Sequence, residues 1–177
     1  MGQMRGRPTA AACDRCYTRR MLALEGLSIR PYEAGDDPFI ARLAEEAFDE
    51  FTPRAVPHTL DMVQRYRTLV VLRDQRRIGF LALSGQAGDV FVVQAIAVSR
   101  RERGRGVGER LMREFEALAR AAGARQLELC TADCNLAALD LFYRRGFRLL
   151  RRRERFYQRG QDACILVKTL APAETPR

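Results

Sequence analysis

From Leu27 the chain begins to alternate: LSIRPYE has the two-residue period of an edge strand, with Pro31 near its end where a missing N–H costs little. DDPFIARLAEEAFDEF changes the period and sets Phe39, Leu43, Phe48 and Phe51 at helical spacing behind an acidic cap. TPRAVP breaks that helix, and His58 to Tyr66 offers a second, shorter one. Two β runs, 68–72 and 78–84, are joined by the turn-forming DQRR, and GQAGD makes the next turn. Residues 90–98, VFVVQAIAV, are almost continuously apolar, as expected of a strand buried on both faces. A helix is predicted over 109–122, with Leu111, Met112, Phe115, Leu118 and Ala119 on one face and Gly123 to close it. QLELCT reads as a strand, NLAALDLFYRR as a helix ended by Gly146, and FRLLRRRERFYQ with ACILVKTL as a hairpin around RGQD.

The order β-α-α-β-β-β-α-β-α-β-β predicts a single α/β (α+β) domain, a mixed central sheet of about seven strands with about four helices on it. The domain is expected over 26–171, behind a flexible leader, 1–25, and before a linker-like tail, 172–177. A length of 177 residues suits one domain plus a tail, and 47% hydrophobic residues exclude a disordered chain. No run of about 18 apolar residues offers a membrane span, and the basic leader lacks a signal-peptide core. Five cysteines leave one unpaired, which suits a reducing, cytoplasmic setting.

Charge changes the picture less than its size suggests. The excess is 31 Lys+Arg over 22 Asp+Glu, a formal +9, and this invites a nucleic-acid partner. Lys168 is the only lysine, however, so the arginine bias looks like genome composition, and the run Arg144, Arg145, Arg148, Arg151, Arg152, Arg153 and Arg155 reads as a solvated face. Nucleic acid is therefore not an expected partner. With His58 the only histidine, histidine-based metal sites and Ser-His-Asp triads have little to build on. Cys13-x-x-Cys16 with Cys130-x-x-x-Cys134 has four thiols for zinc, but Cys130 falls in a core strand, and no metal is expected.

Arg103-Gly104-Arg105-Gly106-Val107-Gly108 lies between the apolar strand and the amphipathic helix. Its glycines let the backbone turn sharply, and the helix start adds free N–H groups that favour a phosphate. A dinucleotide fingerprint fails because Glu109 and Leu111 stand where its last glycine is needed, and a P-loop lacks its lysine.

The run QAIAVSRRERGRGVGERLM, with Arg103, Gly106 and Gly108 in the fixed places of R/Q-x-x-G-x-G/A, resembles the acetyl-CoA signature of the GNAT superfamily of N-acetyltransferases. Asn135, Ala138, Gly146 and Phe147 match a second block, N-x-x-A-(x)7-G-F, and the element order from Leu27 to Leu170 is similar to the family fold. The resemblance implies acetyl-CoA as cosubstrate. Its pyrophosphate would lie on the N–H groups of Gly104, Arg105, Gly106, Val107 and Gly108 beside Arg103. Its pantetheine arm would pair with the backbone of Ile96, Ala97 and Val98, with Asn135 and Phe142 alongside.

Family members carry a tyrosine four residues before the G-F glycine, where this chain has Phe142; Tyr143, one step on, is then the expected acid. Cys130 stands where N-terminal acetyltransferases carry Glu or His, and Gln94 where other members use Glu, so the base is left to a water path through Glu128, Asp133 or Asp49, or to an amine that arrives neutral. The last hairpin resembles that of protein N-terminal acetyltransferases, including the ribosomal-protein alanine type, through Tyr157, Gly160, Asp162 and Ala163. By that resemblance Phe51 and Tyr157 meet the acceptor, an amine-bearing protein or peptide. A small-molecule amine and a catalytically impaired acyl-CoA-binding module remain the alternatives, with a homodimer left open.

Overall fold

The computed structural model describes residues 25–85 and 89–171; the leader up to residue 24 with its Cys13/Cys16 pair, residues 86–88 of the expected GQAGD turn, and the tail lie outside them. The chain runs β1 (Leu27–Pro31), α1 (Asp37–Phe48), α2 (Ala55–Arg65), β2 (Arg67–Arg73), β3 (Arg76–Gly85), β4 (Val90–Val98), α3 (Val107–Ala121), β5 (Gln126–Ala132), α4 (Leu136–Arg144), β6 (Arg148–Arg153) and β7 (Ala163–Thr169). The seven strands form one mixed sheet in the order β1-β2-β3-β4-β5-β7-β6, the α/β architecture that the periodicities predict. β1 to β4 pair antiparallel, β4 and β5 pair parallel across the α3 crossover, and β7 lies antiparallel between β5 and β6.

Helices cover both faces. Val107, Leu111, Met112, Phe115 and Ala119 of α3 pack with Phe142 and Phe147 against Leu81, Leu83, Leu127, Leu129 and Leu166. Ile40, Leu43 and Val63 from α1 and α2 bury Val70, Leu72 and Phe80 on the other face. Each of these side chains apart from Ala119, taken from water to full burial, contributes about 1.5–3 kcal/mol before its ordering entropy is subtracted.

Two expectations need correction. β4 is not buried on both faces: Phe91, Val93, Ala95 and Ala97 are buried, while Val92, Gln94, Ile96 and Val98 between them stay partly open. Helix α2 begins at Ala55 rather than His58, because Pro57 sits in its first turn, where no intrahelical N–H is needed.

Buried ionic ties hold distant elements. Asp36, with no exposed surface, accepts two 2.8 Å hydrogen bonds from Arg30 of β1, one from Arg77 of β3 and one of 2.9 Å from the Glu33 N–H. The Arg30 hydrogen bonds, opposed by burial and joined by Arg77, hold its carboxyl well below the usual carboxylate range. Glu116 of α3 accepts Arg145 Nη2 at 2.8 Å and Lys168 Nζ at 2.9 Å, and Lys168 also donates to the Arg145 carbonyl at 2.7 Å. That triad ties α3 to the end of α4 and to β7.

Candidate active site

The cleft begins as a fault in the sheet. Ala82 faces Ala95 and Leu83 faces Val93, so Gln94 is an extra residue bulged out of β4, its amide donating to Ser84 Oγ at 2.7 Å. The parallel pairing of β4 with β5 stops at Val93–Leu129. Beyond it, the remainder of β4 and the end of β5 diverge, and two cavities open on either side of the gap.

One cavity, about 430 Å³, has Ile96, Ala97 and Val98 as one wall and Arg103, Gly104, Gly106 and Gly108 as its floor. Gly104 (φ +71°) and Gly106 (φ +80°) take the left-handed conformation that turns the chain from β4 into α3. Their turn leaves the first N–H groups of α3 without intrahelical partners, a seat for an anion. Gly108 faces Leu141, and a Cβ there would lie 3.1 Å from its Cδ2, so glycine also allows α4 close. Arg103 donates through Nε to the Val98 carbonyl at 2.9 Å, with Nη2 3.7 Å from Glu46. Val107 is in the core and Arg105 pairs with Glu102, so these two border the floor without lining it. Arg144 of α4 does line this cavity, which its place in the expected solvated run did not suggest.

The second cavity, about 450 Å³, opens on the other side, lined by Phe48, Phe51, Met62, Gln94, Ile96, Glu128, Cys130, Phe156 and Tyr157 among others. Helix α2 turns Ala55, His58, Thr59 and Met62 toward it, one face at helical spacing. His58 thus reaches the site although its isolation in the sequence argued against a role. The clue available was a helix face mixing Thr, His and Met where a core face would be aliphatic. Phe51 and Tyr157, both expected on the acceptor side, are brought together with ring centroids 5.8 Å apart. Hydrogen bonds bridge the two segments: Arg159 Nε to the Asp49 carbonyl and Gln161 Nε2 to that of Glu50, each 2.9 Å. The Tyr157 hydroxyl lies 3.8 Å from Cys130 Sγ. Burial, then the neighbouring Cys130, pushes the phenol far above its ordinary pKa, so it is protonated at neutral pH. The cavity walls strip water from the Cys130 thiol and raise it too. Asp49 is paired with Arg159, and among the lining residues Glu128 is the only carboxylate.

Both cavities share Phe48, Ile96, Asn135, Ala138 and Phe142, so they meet at the divergence of β4 and β5. Asn135 caps α4, its side chain accepting the Ala138 N–H at 3.3 Å. Phe142 is 2% exposed at this junction, whereas Tyr143 is 48% exposed and lines neither cavity. Tyr143 as the acid is therefore corrected: successive helical residues point about 100° apart, and Phe142 takes the inward direction. No group of three or more His, Cys, Asp or Glu that could hold a metal occurs among the described residues, and no helix there is long and apolar enough to cross a membrane.

Known proteins resemble this chain in sequence or in fold. A chain of Methanocaldococcus jannaschii described as an uncharacterized N-acetyltransferase is 25% identical over 151 residues, 84% of this chain and 95% of that one. The structure of Ard1 from Thermoplasma volcanium superposes with a TM-score of 0.74 at 22% identity, covering 82% of this chain and 99% of that one. That of the ribosomal-protein-S18-alanine N-acetyltransferase from Escherichia coli gives 0.70 at 20%, covering 85% and 99%. The model of the acetyltransferase (GNAT) family matches residues 32–147, which include the whole lining of the first cavity, the junction, and all of the second cavity's lining but Phe156, Tyr157 and Gln158, and the chain belongs to that family of acetyl-CoA-dependent acyltransferases.

Proposed function

We propose that the protein acetylates the α-amine of a protein or peptide N-terminus. The observation that carries this is the acceptor cavity: mostly apolar, with one carboxylate on its wall, and bridged at its mouth by the Arg159 and Gln161 hydrogen bonds. A single carboxylate suits a single ammonium; a polyamine would leave further cations buried and unpaired. The bridge admits a chain end threaded beneath it.

Acetyl-CoA supplies an activated thioester carbonyl. Gly104 to Gly108 present N–H groups to its phosphates, and Ile96 to Val98, paired with β3 but beyond the pairing with β5, present a strand edge to its arm, a strand-addition mode, with the Val98 carbonyl taken by Arg103. Glu128 draws the ammonium inward and accepts its proton, with His58 on the facing helix wall. Tyr157, protonated at neutral pH, donates a hydrogen bond to the acceptor's backbone. Phe142 offers no proton at the junction, and none is demanded, because a thiol pKa near ~8.5 lets the leaving group depart as a thiolate. Cys130, Cys134 and Cys164 are free thiols, which suits a reducing compartment such as the cytoplasm.

Incubation with acetyl-CoA and a panel of peptides, polyamines and arylalkylamines tests the reading by thiol release, with mass spectrometry locating the acetyl group. Modified peptide α-amines are expected; turnover of amines with every peptide untouched would overturn it. Phe142, Gln94 and Cys130 favour one second reading, a binding module without catalysis. Calorimetric CoA binding with no turnover on any amine would select that one.

A further inference from the structure

The formal charge is not spread over the molecule. Residues 1–24 carry five arginines against Asp14, and 148–155 carry five against Glu154, leaving 21 bases against 20 acids elsewhere. The second of these segments is β6, a sheet edge whose six residues are all exposed. Among the described residues no ion pair reaches Arg148, Arg151, Arg152, Arg153 or Arg155, whereas half of the exposed arginines elsewhere, among them Arg65, Arg103, Arg110, Arg113, Arg144 and Arg159, have carboxylate partners.

The register says which way these arginines face. Glu128, Cys130 and Ala132 of β5 oppose Val167, Ile165 and Ala163 of β7, which in turn oppose Arg148, Arg151 and Arg153 of β6. Residues in register across strands share a sheet face, so this arginine row lies on the face where Glu128 and Cys130 wall the acceptor cavity. Two strand spacings, about 10 Å, separate Cys130 from Arg151. Arg153 is nearest the mouth: its guanidinium lies 4.6 Å over the ring of Phe156, itself a cavity residue.

We propose that the row Arg148, Arg151 and Arg153 receives acidic side chains of the acceptor as its chain leaves the cavity, so that the preferred substrates are acidic N-terminal segments. The inference rests on the N-terminal acetyltransferase reading above. An extended peptide covers about 3.3 Å per residue, so positions from roughly the fourth onward pass over the row. Leu150 is bulged out of β6, which breaks the ladder that a continuous added strand would need. Recognition is therefore by side-chain charge. Arginine forks suit carboxylates, and being exposed they act through modest, salt-screened attraction.

The test compares peptides of about eight residues that share their first three and carry Asp/Glu, Asn/Gln or Lys/Arg after them. The acidic peptide is expected to show a kcat/KM about ten-fold above the neutral one, through KM, an advantage that shrinks in about 0.5 M salt. In R148Q/R151Q, which leaves the Arg153–Phe156 contact intact, the acidic peptide should fall to the level of the neutral one. Equal rates for all three peptides would overturn this inference and leave the proposed function standing. Turnover of no peptide at all would overturn both. Binding of a fluorescent oligonucleotide that depends on Arg148 and Arg151, without any preference among the peptides, would reassign the row to nucleic acid.

Discussion

Glu116 is the perturbation whose consequence is best defined. It is 8% exposed and sits between Arg145 and Lys168, taking charged hydrogen bonds at 2.8, 2.9 and 3.1 Å. Glu116→Gln keeps the shape and removes the charge, leaving two half-buried cations facing a neutral amide. Removing one partner of a buried ionic group costs about 3–5 kcal/mol. The Arg145 and Lys168 side chains are 22% and 19% exposed, so water recovers part of that, and we place the loss near the lower bound, about 3 kcal/mol. At about 2–4 °C per kcal/mol for a chain of this size, the melting temperature should fall by about 6–12 °C. Because the triad braces α3 against α4, which together wall the cofactor cavity, KM for acetyl-CoA should rise more than KM for the acceptor. Thermal melts followed by circular dichroism, with initial rates at both substrates varied, read these quantities. The double variant E116L/K168M exchanges the buried ions for apolar groups and frees Arg145 toward water, so it should recover at least half of the lost stability. A melting temperature for E116Q within about 1 °C of the parent, or a double variant worse than the single, would refute the electrostatic account.

Other outcomes follow from the same geometry. Asp36→Asn should destabilise the fold by about 3 kcal/mol at pH 7. Because the native pKa of Asp36 is depressed, its contribution is present above the unfolded value near ~3.9 and lost as pH falls through the native one; urea midpoints from pH 7 to pH 3 should fall in the parent and flatten in D36N. Gly106→Ala forces a side chain into the left-handed region at about 1–2 kcal/mol, so calorimetry should show acetyl-CoA binding about ten-fold weaker; unchanged affinity would separate the turn from the cofactor. Glu128→Gln should lower kcat/KM by about 10²-fold or more if it takes the amine's proton; activity above half would shift that role to His58 or to solvent. Phe51→Ala should raise the acceptor KM while leaving the calorimetric Kd of acetyl-CoA unchanged, and equal loss of both would contradict the division into two cavities.

The glycine turn and the cavity above it were legible because their signal is local. Gly104, Gly106 and Gly108 fall within five residues, and the strand before them and the helix after them have unambiguous periods. Of the second cavity only Phe51 and Tyr157 were placed in advance as acceptor contacts, because the rest is assembled from α2, β5 and the β6–β7 connection around one bulged residue, Gln94, which no periodicity marks. β4 read as fully buried because its apolar run includes Ile96 and Val98, which line a cavity instead of the core. Tyr143 failed as the acid on a rotation about the α4 axis, where Phe142 matches the apolar interior better than a phenol would. Arg144 joined the cofactor wall because the packing of α4 on α3 decides what its exposed face overlooks.

The lone lysine has a practical consequence. An enzyme that handles an activated acetyl thioester is itself exposed to it, and lysine amines on its surface are the usual casualties. Here the only ε-amine is held between Glu116 and the Arg145 carbonyl, and the remaining side-chain cations are guanidiniums that acetyl thioesters do not acylate. Acetyl-lysine detected in a reaction mixture will therefore report on the acceptor, with almost no background from the catalyst.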